Sequence, residues 1–327
     1  MSNQEMRDAL VRISELTRFA LRHDHEGHDD WGGDDAPGGE ARVCTPVSLP
    51  RDLLVEAAQT AIAENPANAP AFGPLALVDL APITDPLQIA VLTAKYWGPQ
   101  SRELSVSFMD TPDAALRKRI LQHMNAWSVG IRFRETRSDG QVRISRSQPG
   151  YWSYVGTDIL HIERAKPTMN LQGFTMNTPD SEFVRVVRHE TGHTLGAPHE
   201  HMRKELVARI DPEKAYEYFW RTQRWDRAMV DAQVLTSLDD RSLLRTPPDQ
   251  TSIMCYQLPA SITRDGKPIL GGKDINATDR AFMLRLYPAA SRARRFEEHD
   301  YGGEEHYHDS NEAVYTFAGG NGDGDNG

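Results

Sequence analysis

The sequence predicts an α+β fold, and two patterns along its 327 residues support that prediction. Short segments that alternate apolar and polar residues, or that are rich in β-branched and aromatic ones, predict the strands of a small sheet. Apolar residues at helical spacing, preceded by capping residues or proline, predict helices around these strands. The predicted strands are residues 104–109, 131–135, 141–145, 151–159 and 168–171. The predicted helices are residues 1–22, 51–64 and 279–286, and two further helices that begin at 111–113 and 177–180.

Local sequence signals support these elements in turn. Residues 104–109 read LSVSFM, an alternation typical of a half-buried strand. Residues 111–113 read TPD and predict a helix start, because proline is favoured in the first helical turn. Residues 138–140, Ser-Asp-Gly, predict a turn between two strands. Thr278 is the predicted N-cap of the last helix.

Composition divides the chain into three parts. We expect an N-terminal extension at residues 1–75, a folded domain at 76–288, and an acidic, Gly-rich, disordered tail at 289–327. The formal net charge of −10 comes from the extensions: residues 23–41 hold seven acidic residues and no Lys or Arg, and residues 291–327 carry a net −6. This acidity argues against a nucleic-acid partner.

Targeting signals and cysteines are sparse. No run of about 18 apolar residues occurs, so no membrane partner is expected. The first thirty residues lack the apolar core of a classical secretory signal. We therefore expect a protein that is cytoplasmic, exported by a non-classical route, or already freed of its signal. Cys44 and Cys255 are the two cysteines and could form one bridge at most.

The densest group of chemically active side chains is residues 189–201, HETGHTLGAPHEH. His189 and His193 are four residues apart, which places both on one face of a helix. Gly196 can take a left-handed backbone conformation that ends the helix, so that His199 returns as a third ligand. Three neutral imidazoles suit one Zn²⁺ ion and leave a coordination position open for water.

Glu190 lies beside these histidines and is not needed as a metal ligand. A zinc-bound water has a pKa near 7 rather than about 15.7. Glu190 is expected to accept its proton as a peptide carbonyl is attacked, and to pass that proton to the leaving amine. A lone HExxH also occurs by chance on ordinary helices, but Gly196 and His199 at fixed offsets make a chance match much rarer.

The pattern HExxHxxGxxH followed by a methionine-containing turn is typical of metzincins, and this sequence is similar to the astacin family of peptidases among them. Four blocks carry the resemblance: HEHMR (199–203), WSYVG (152–156), SIMCY (252–256) and TDRAFMLRLY (278–287). It covers about residues 95–288, which implies that 76–288 is a metzincin catalytic domain. The expected fold is a small twisted mixed sheet, an active-site helix beneath it, and a C-terminal subdomain that carries the methionine turn.

The resemblance also implies roles for residues around the zinc. Met254 would lie beneath the metal as an apolar floor. Tyr256 would be a switchable ligand that stabilises the oxyanion together with zinc; the alternative is an ordinary buried tyrosine. Glu200 would bind a mature N-terminus, or would pair with Arg203 or another base.

The WSYVG block implies a substrate-binding edge strand. An unpaired strand edge takes up an extended peptide through backbone hydrogen bonds, which explains sequence-tolerant binding of proteins. Trp152, Tyr154 and Gly156 are the residues assigned to it. Plain core packing by Trp152 and Tyr154 is the alternative, and both can hold.

Three departures from astacins stand out. Tyr151 occupies a position where the family has a disulfide cysteine, Cys255 replaces the histidine of SIMHY, and Ala197-Pro198 replace an aromatic residue. The chain therefore resembles an astacin without the oxidised framework. A matrixin-like assignment within the metzincins stays open.

Two short motifs in the extension suggest a pro-segment that silences the enzyme. Asp34, in WGGD, resembles the aspartate of the astacin propeptide motif FxGD, and Cys44, in RVCTP, resembles a matrixin cysteine switch. The alternative is a solvated acidic linker and a buried cysteine. The latency hypothesis predicts that removing residues 1–50 raises activity.

The function that these observations predict is zinc-dependent endopeptidase hydrolysis of protein or peptide substrates. One alternative is a catalytically inactive zinc-binding scaffold that binds polypeptides, which intact Glu190 and Tyr256 argue against. Another is a zinc amidase or esterase on a non-protein substrate. Cleavage preference, physiological substrate and oligomeric state do not follow from the sequence.

Overall fold

Residues 44–45, 47–70, 93–237 and 248–289 are described by the computed structural model. The helix predicted at residues 1–22, Asp34, and all of the predicted tail except residue 289 lie outside them. Among the described residues, no helix is both long and apolar enough to span a membrane.

The described residues form one mixed five-stranded sheet, in the order β2-β1-β3-β5-β4. The strands are β1 (Arg102–Phe108), β2 (Ile131–Glu135), β3 (Val142–Ser145), β4 (Tyr151–Ser153) and β5 (Met169–Leu171). β1 runs parallel to β2 and β3, and β3 runs parallel to β5. β4 pairs antiparallel with β5 and forms one edge of the sheet. The predicted α+β fold with a small mixed sheet is confirmed.

Burial along the strands follows their place in the sheet. All four residues of β3 and all three of β5 are buried, because these inner strands are covered on both faces. The strand predicted at 151–159 is shorter, since β4 ends at Ser153 and Gly156–His161 form a 3₁₀ helix. Gly156 has a φ of +50°, which a regular strand does not allow.

Three helices precede or connect the strands, or follow them in the chain. α1 (Leu54–Glu64) precedes it, and α2 (Ala114–Met124) connects β1 to its parallel neighbour β2. The Asp113 carboxylate caps α2 by accepting a hydrogen bond from the Leu116 amide at 2.8 Å. The helix predicted to begin at 177–180 begins at Asp180; we name it α3, and it comprises Asp180–Glu182, a π-helical turn at Phe183–Val187 and Arg188–Thr194.

The chain after α3 builds a second core below the sheet. It contains α4 (Lys204–Val207), α5 (Pro212–Gln223), α6 (Arg227–Val230) and a π-helical segment, Asp231–Leu235. Met254 packs into the first core with the sheet and α3, whereas Cys255 and Tyr256 pack into the second. The turn at Ser252–Tyr256 therefore lies at the boundary between the two cores.

The last helix, α7 (Ala277–Leu286), holds this turn in place. Asn276 caps α7 together with Asp279 in a capping box, two residues before the predicted cap Thr278. The Asp279 carboxylate accepts hydrogen bonds from the Ser252 hydroxyl at 2.5 Å and the Ile253 amide at 3.0 Å. One buried carboxylate thus joins α7 to the turn.

Part of the N-terminal extension packs tightly against the sheet domain. The buried Asn68 side chain donates to the carbonyl of Tyr96 at 2.7 Å and accepts from its amide at 3.0 Å. Asn65 donates to the Trp97 carbonyl at 3.2 Å. The side chains at 65 and 68 therefore bind the backbone of residues 96–97.

Candidate active site

Three imidazoles converge where α3 ends. The Nε2 atom of His199 lies 3.2 Å from Nε2 of His189 and 3.0 Å from Nε2 of His193, and all three residues are buried. His189 and His193 come from one face of α3. Gly196 has a φ of +98° and reverses the chain, which brings His199 back toward α3.

Backbone carbonyls orient two of the three rings. Nδ1 of His189 lies 2.6 Å from the Ile253 carbonyl, and Nδ1 of His193 lies 2.8 Å from the Ala197 carbonyl. A carbonyl only accepts, so Nδ1 carries the proton in both rings and Nε2 presents its lone pair inward. Burial lowers the pKa of His193 to about 4 and those of His189 and His199 well below the usual value. The rings are therefore neutral, as metal ligands must be.

The donor set fits Zn²⁺. Ligand nitrogens at 2.0–2.1 Å around a tetrahedral zinc are separated by about 3.3 Å, and a sulfur ligand lies about 3.6 Å from each nitrogen. The Nε2 atoms here are 3.0–3.2 Å apart, and Sγ of Cys44 lies 3.5 Å from Nε2 of His193. Cys44, His189, His193 and His199 present ligand atoms that all lie within 4.8 Å of one another.

Glu190 is buried next to this cluster. The residue is only 1% exposed, and burial raises the pKa of its carboxyl to about 8. Its carboxylate accepts a hydrogen bond from the Cys44 thiol at 3.4 Å. The general base expected from the sequence therefore faces the same space as the three imidazoles.

Tyr256 reaches the cluster from the second core. Its ring lies 4.3 Å from the ring of His199, and its hydroxyl donates to the Cys44 carbonyl. Burial raises its pKa well above the usual range, so the hydroxyl keeps its proton. Met254, two residues earlier, is buried beside Gly192 of α3.

Cys44 contacts the expected base, a histidine of the cluster and Tyr256. Its thiol lies at Glu190 and His193, its carbonyl accepts from Tyr256, and the next residue, Thr45, donates to the Tyr151 carbonyl at 2.9 Å. Cys44 also forms an isolated parallel bridge with Tyr151 on the edge strand β4. Cys44 and Thr45 therefore reach the site beside the edge strand β4.

The three substrate-binding candidates have different surroundings. Trp152 and Tyr154 are half-buried and pack edge to face, with ring centroids 6.1 Å apart. Gly156 is buried against the backbone of Lys95, whose carbonyl oxygen would lie 1.8 Å from an added Cβ. Gly156 therefore shapes the backbone, whereas the two aromatic side chains line the edge.

Glu200 contacts Arg203 and the backbone of Asp249. Its Oε1 atom lies 3.9 Å from Nε of Arg203 and accepts a hydrogen bond from the Asp249 amide at 3.1 Å. Burial raises its pKa to about 7. Glu200 lines a small pocket that Tyr96, Asp249 and Phe282 also line.

The sequence analysis missed three residues that support the site: Asp279, Gly272 and His201. Asp279 could have been found from the capping signal Asn276-x-x-Asp279. Gly272 and His201 act through contacts with residues far along the chain, so no local pattern identifies them.

Gly272 is expected to be intolerant of a side chain. A Cβ there would lie 2.2 Å from the Ser252 carbonyl oxygen and 2.4 Å from the Ile253 nitrogen, so the turn itself would have to move. Gly272→Ala should lower the free energy of unfolding by about 3 kcal/mol, measured by urea denaturation. Gly173→Ala is the control, because its added Cβ meets nothing within 4 Å and only the φ of +69° is penalised, by about 1 kcal/mol. Equal losses for both variants would contradict the clash.

Comparison with known proteins agrees with this geometry. The sequence pattern of the Astacin peptidase family matches residues 91–274, more than half of the chain. A structure of myroilysin is 30% identical, with a TM-score of 0.56, over 59% of this chain and 96% of the myroilysin chain. The hatching enzyme zinc-protease HCE-1 of the medaka fish Oryzias latipes is 21% identical over 60% of this chain and 95% of its own, with a TM-score of 0.41. None of the curated proteins searched matches this chain.

The fold and the buried histidine cluster define a metal-dependent peptidase of the metzincin type. The chain belongs to the astacin family of peptidases. It is accordingly a zinc metalloendopeptidase, and the predicted family, fold and enzyme class are confirmed.

Proposed function

We propose that this enzyme hydrolyses peptide bonds in protein or peptide substrates, with Glu190 as the general base. The observation that carries the proposal is that the Cys44 thiol lies 3.4 Å from the buried Glu190 carboxylate and 3.5 Å from Nε2 of His193, which places Glu190 next to the converging Nε2 atoms. His189, His193 and His199 would hold Zn²⁺. When bound, the ion lowers the pKa of a water molecule and polarises the scissile carbonyl.

Glu190 then transfers the proton of the attacking water, and Tyr256 stabilises the negative charge that develops on the carbonyl oxygen. The charge of a bound Zn²⁺ would oppose the effect of burial on the pKa of Glu190 and favour its ionised form. In that form Glu190 accepts one proton from the attacking water as the new C–O bond forms, and delivers it to the amine nitrogen as the C–N bond breaks. The Tyr256 hydroxyl, which stays protonated, donates a hydrogen bond to the carbonyl oxygen as negative charge develops there. Burial strengthens both interactions, because water is excluded from the site.

The substrate would bind along the edge strand β4. The contact of Thr45 with the Tyr151 carbonyl supports this, since it is a backbone hydrogen bond made to the edge of the sheet by a separate segment of the chain. Trp152 and Tyr154 would contact substrate side chains next to that edge.

We also propose that the N-terminal segment keeps the enzyme latent through Cys44. A set of three histidines and one cysteine is a closed, four-coordinate zinc site without a position for water. The same residue covers Glu190 and engages Tyr256, which supports a direct block of catalysis. Asp34 stays a prediction, because it lies outside the described residues.

Metal removal and a digest test the function. Full-length protein would be dialysed against a chelator, assayed on casein and on a peptide library, and reloaded with Zn²⁺ in steps. We expect cleavage to be lost with the metal and restored at about one zinc per chain. Hydrolysis of simple esters or amides without any peptide cleavage would favour the amidase or esterase alternative, and zinc binding without hydrolysis of any substrate would favour the scaffold.

A further inference from the structure

The ring of His201 packs face to face on the ring of Tyr256. The two ring centroids are 4.1 Å apart, and the ring planes differ by 15°. His201 is fully buried, with an exposed fraction of 0%. It does not belong to the cluster of metal-ligating atoms, although its ring lies 5.2 Å from that of His199.

A hydrogen bond holds the far edge of the same imidazole. Nε2 of His201 lies 2.8 Å from the carbonyl of Gln233, in the π-helical segment Asp231–Leu235. Because the carbonyl accepts, Nε2 carries the proton and the orientation of the ring is set. The preceding residue, Glu200, donates its amide to the Met254 carbonyl at 2.9 Å. His201 is therefore held by both the second core and the methionine turn.

Tyr256 depends on such support once the site is open. In the latent chain its hydroxyl is held by the Cys44 carbonyl. Departure of Cys44 removes that bond before a substrate carbonyl replaces it. In an open site, the tilted ring of His199 and the stacked ring of His201 would remain as contacts of the Tyr256 ring.

We infer that His201 is a positioning residue, which fixes the Tyr256 ring so that its hydroxyl meets the oxygen of the scissile carbonyl. The inference rests on the role of Tyr256 proposed above. A small displacement of a stabilising group lowers the rate of the chemical step far more than it weakens substrate binding. His201 variants should therefore lose kcat and keep KM.

A spectroscopic test does not depend on activity. Full-length protein loaded with Zn²⁺ would carry 3-fluorotyrosine in place of Tyr256, and its fluorine resonance would be recorded. In a His201→Leu background the resonance should shift and broaden, because the stacked ring is gone. An unchanged resonance would overturn the inference.

A double-mutant cycle tests the catalytic consequence in full-length protein that carries Cys44→Ser. His201→Leu and Tyr256→Phe should each lower kcat by roughly 10- to 100-fold, with KM changed by less than about threefold. The double variant should be no slower than Tyr256→Phe alone, since His201 acts through that hydroxyl. Additive losses would overturn the positioning role. No effect of Tyr256→Phe itself would instead remove the proposed role of Tyr256, and the inference with it.

Two further substitutions distinguish the effect of the stacked ring from that of the hydrogen bond to Gln233. They also keep part of the His201 contacts, so that a loss of kcat is not explained by misfolding alone. His201→Phe keeps an aromatic face without the donor, and His201→Asn keeps an N–H donor without the face. We expect His201→Phe to retain most of kcat and His201→Asn to lose it, at equal zinc content. The opposite order would show that the bond to Gln233, and not the stacked ring, matters, and would overturn the inference.

Discussion

Full-length Cys44→Ser should cleave casein about 10- to 100-fold faster than the wild-type chain at the same zinc content. In the wild type the thiol lies 3.5 Å from Nε2 of His193 and 3.4 Å from the Glu190 carboxylate, so it competes with water and substrate together. Each tenfold change in the open fraction corresponds to about 1.4 kcal/mol, and loss of a charge-assisted metal contact readily exceeds that value. Serine keeps the size of the side chain but is a much poorer ligand for zinc.

Cys255→Ser is the matched control for this experiment. Cys255 is the other free, buried cysteine, and it does not belong to the donor cluster. Its variant should stay as latent as the wild type. Removal of residues 1–43 alone should also leave the chain latent, whereas removal through residue 50 should activate it. Equal activity of Cys44→Ser and wild type, each with one zinc, would contradict latency through Cys44.

Glu190→Gln, introduced into the Cys44→Ser chain, should lower kcat by about 10³- to 10⁴-fold and leave one zinc per chain. Glutamine is isosteric with glutamate but cannot accept the proton of water, and a positioned general base accounts for rate effects of up to about 10⁴-fold. The three imidazoles should keep their arrangement, because their Nδ1 contacts come from Ile253 and Ala197 rather than from Glu190. Zinc content and casein cleavage, measured on the same preparation, check both halves of the expectation.

Glu182→Gln provides the comparison for Glu190→Gln. Glu182 lies on the same helix, α3, where it pairs with Arg185 at 2.8 Å, outside the cluster. Its substitution removes the same charge and should leave kcat within about threefold. A large loss in Glu182→Gln would indicate that the charge of α3, and not a proton transfer at Glu190, limits the rate. Retained activity in Glu190→Gln would sink the general-base role.

The contacts of Cys44 connect the proposed latency with the proposed catalysis. Cys44 pairs with Tyr151 at the edge strand that a substrate is proposed to use, and it contacts Glu190, His193 and Tyr256. Residues 65–68, in contrast, pair with 96–97 inside the domain. If Cys44 keeps the enzyme latent as proposed, its departure would not require α1 to leave the domain.

Residue spacing was enough to predict the arrangement of the histidines. Helical periodicity places His189 and His193 on one face, and a glycine at position 196 supplies the reversal that returns His199, so both effects act within a few residues. The short strands and the α+β class followed for the same reason. Strand bounds were less well predicted, as at residues 151–159, where β4 ends at Ser153 and a 3₁₀ helix begins at Gly156.

The sequence by itself determined the family, the convergence of His189, His193 and His199, and the position of Glu190 beside them, because these depend on local spacing. Only the tertiary structure decided which cysteine reaches the site, how Asp279 and Gly272 support the turn, and which ring faces Tyr256. Cys44 meets His193 across 149 residues of chain, and Tyr256 meets Cys44 across 212. Contacts over such separations depend on how the two cores pack against each other, and no local pattern in a single sequence encodes that packing.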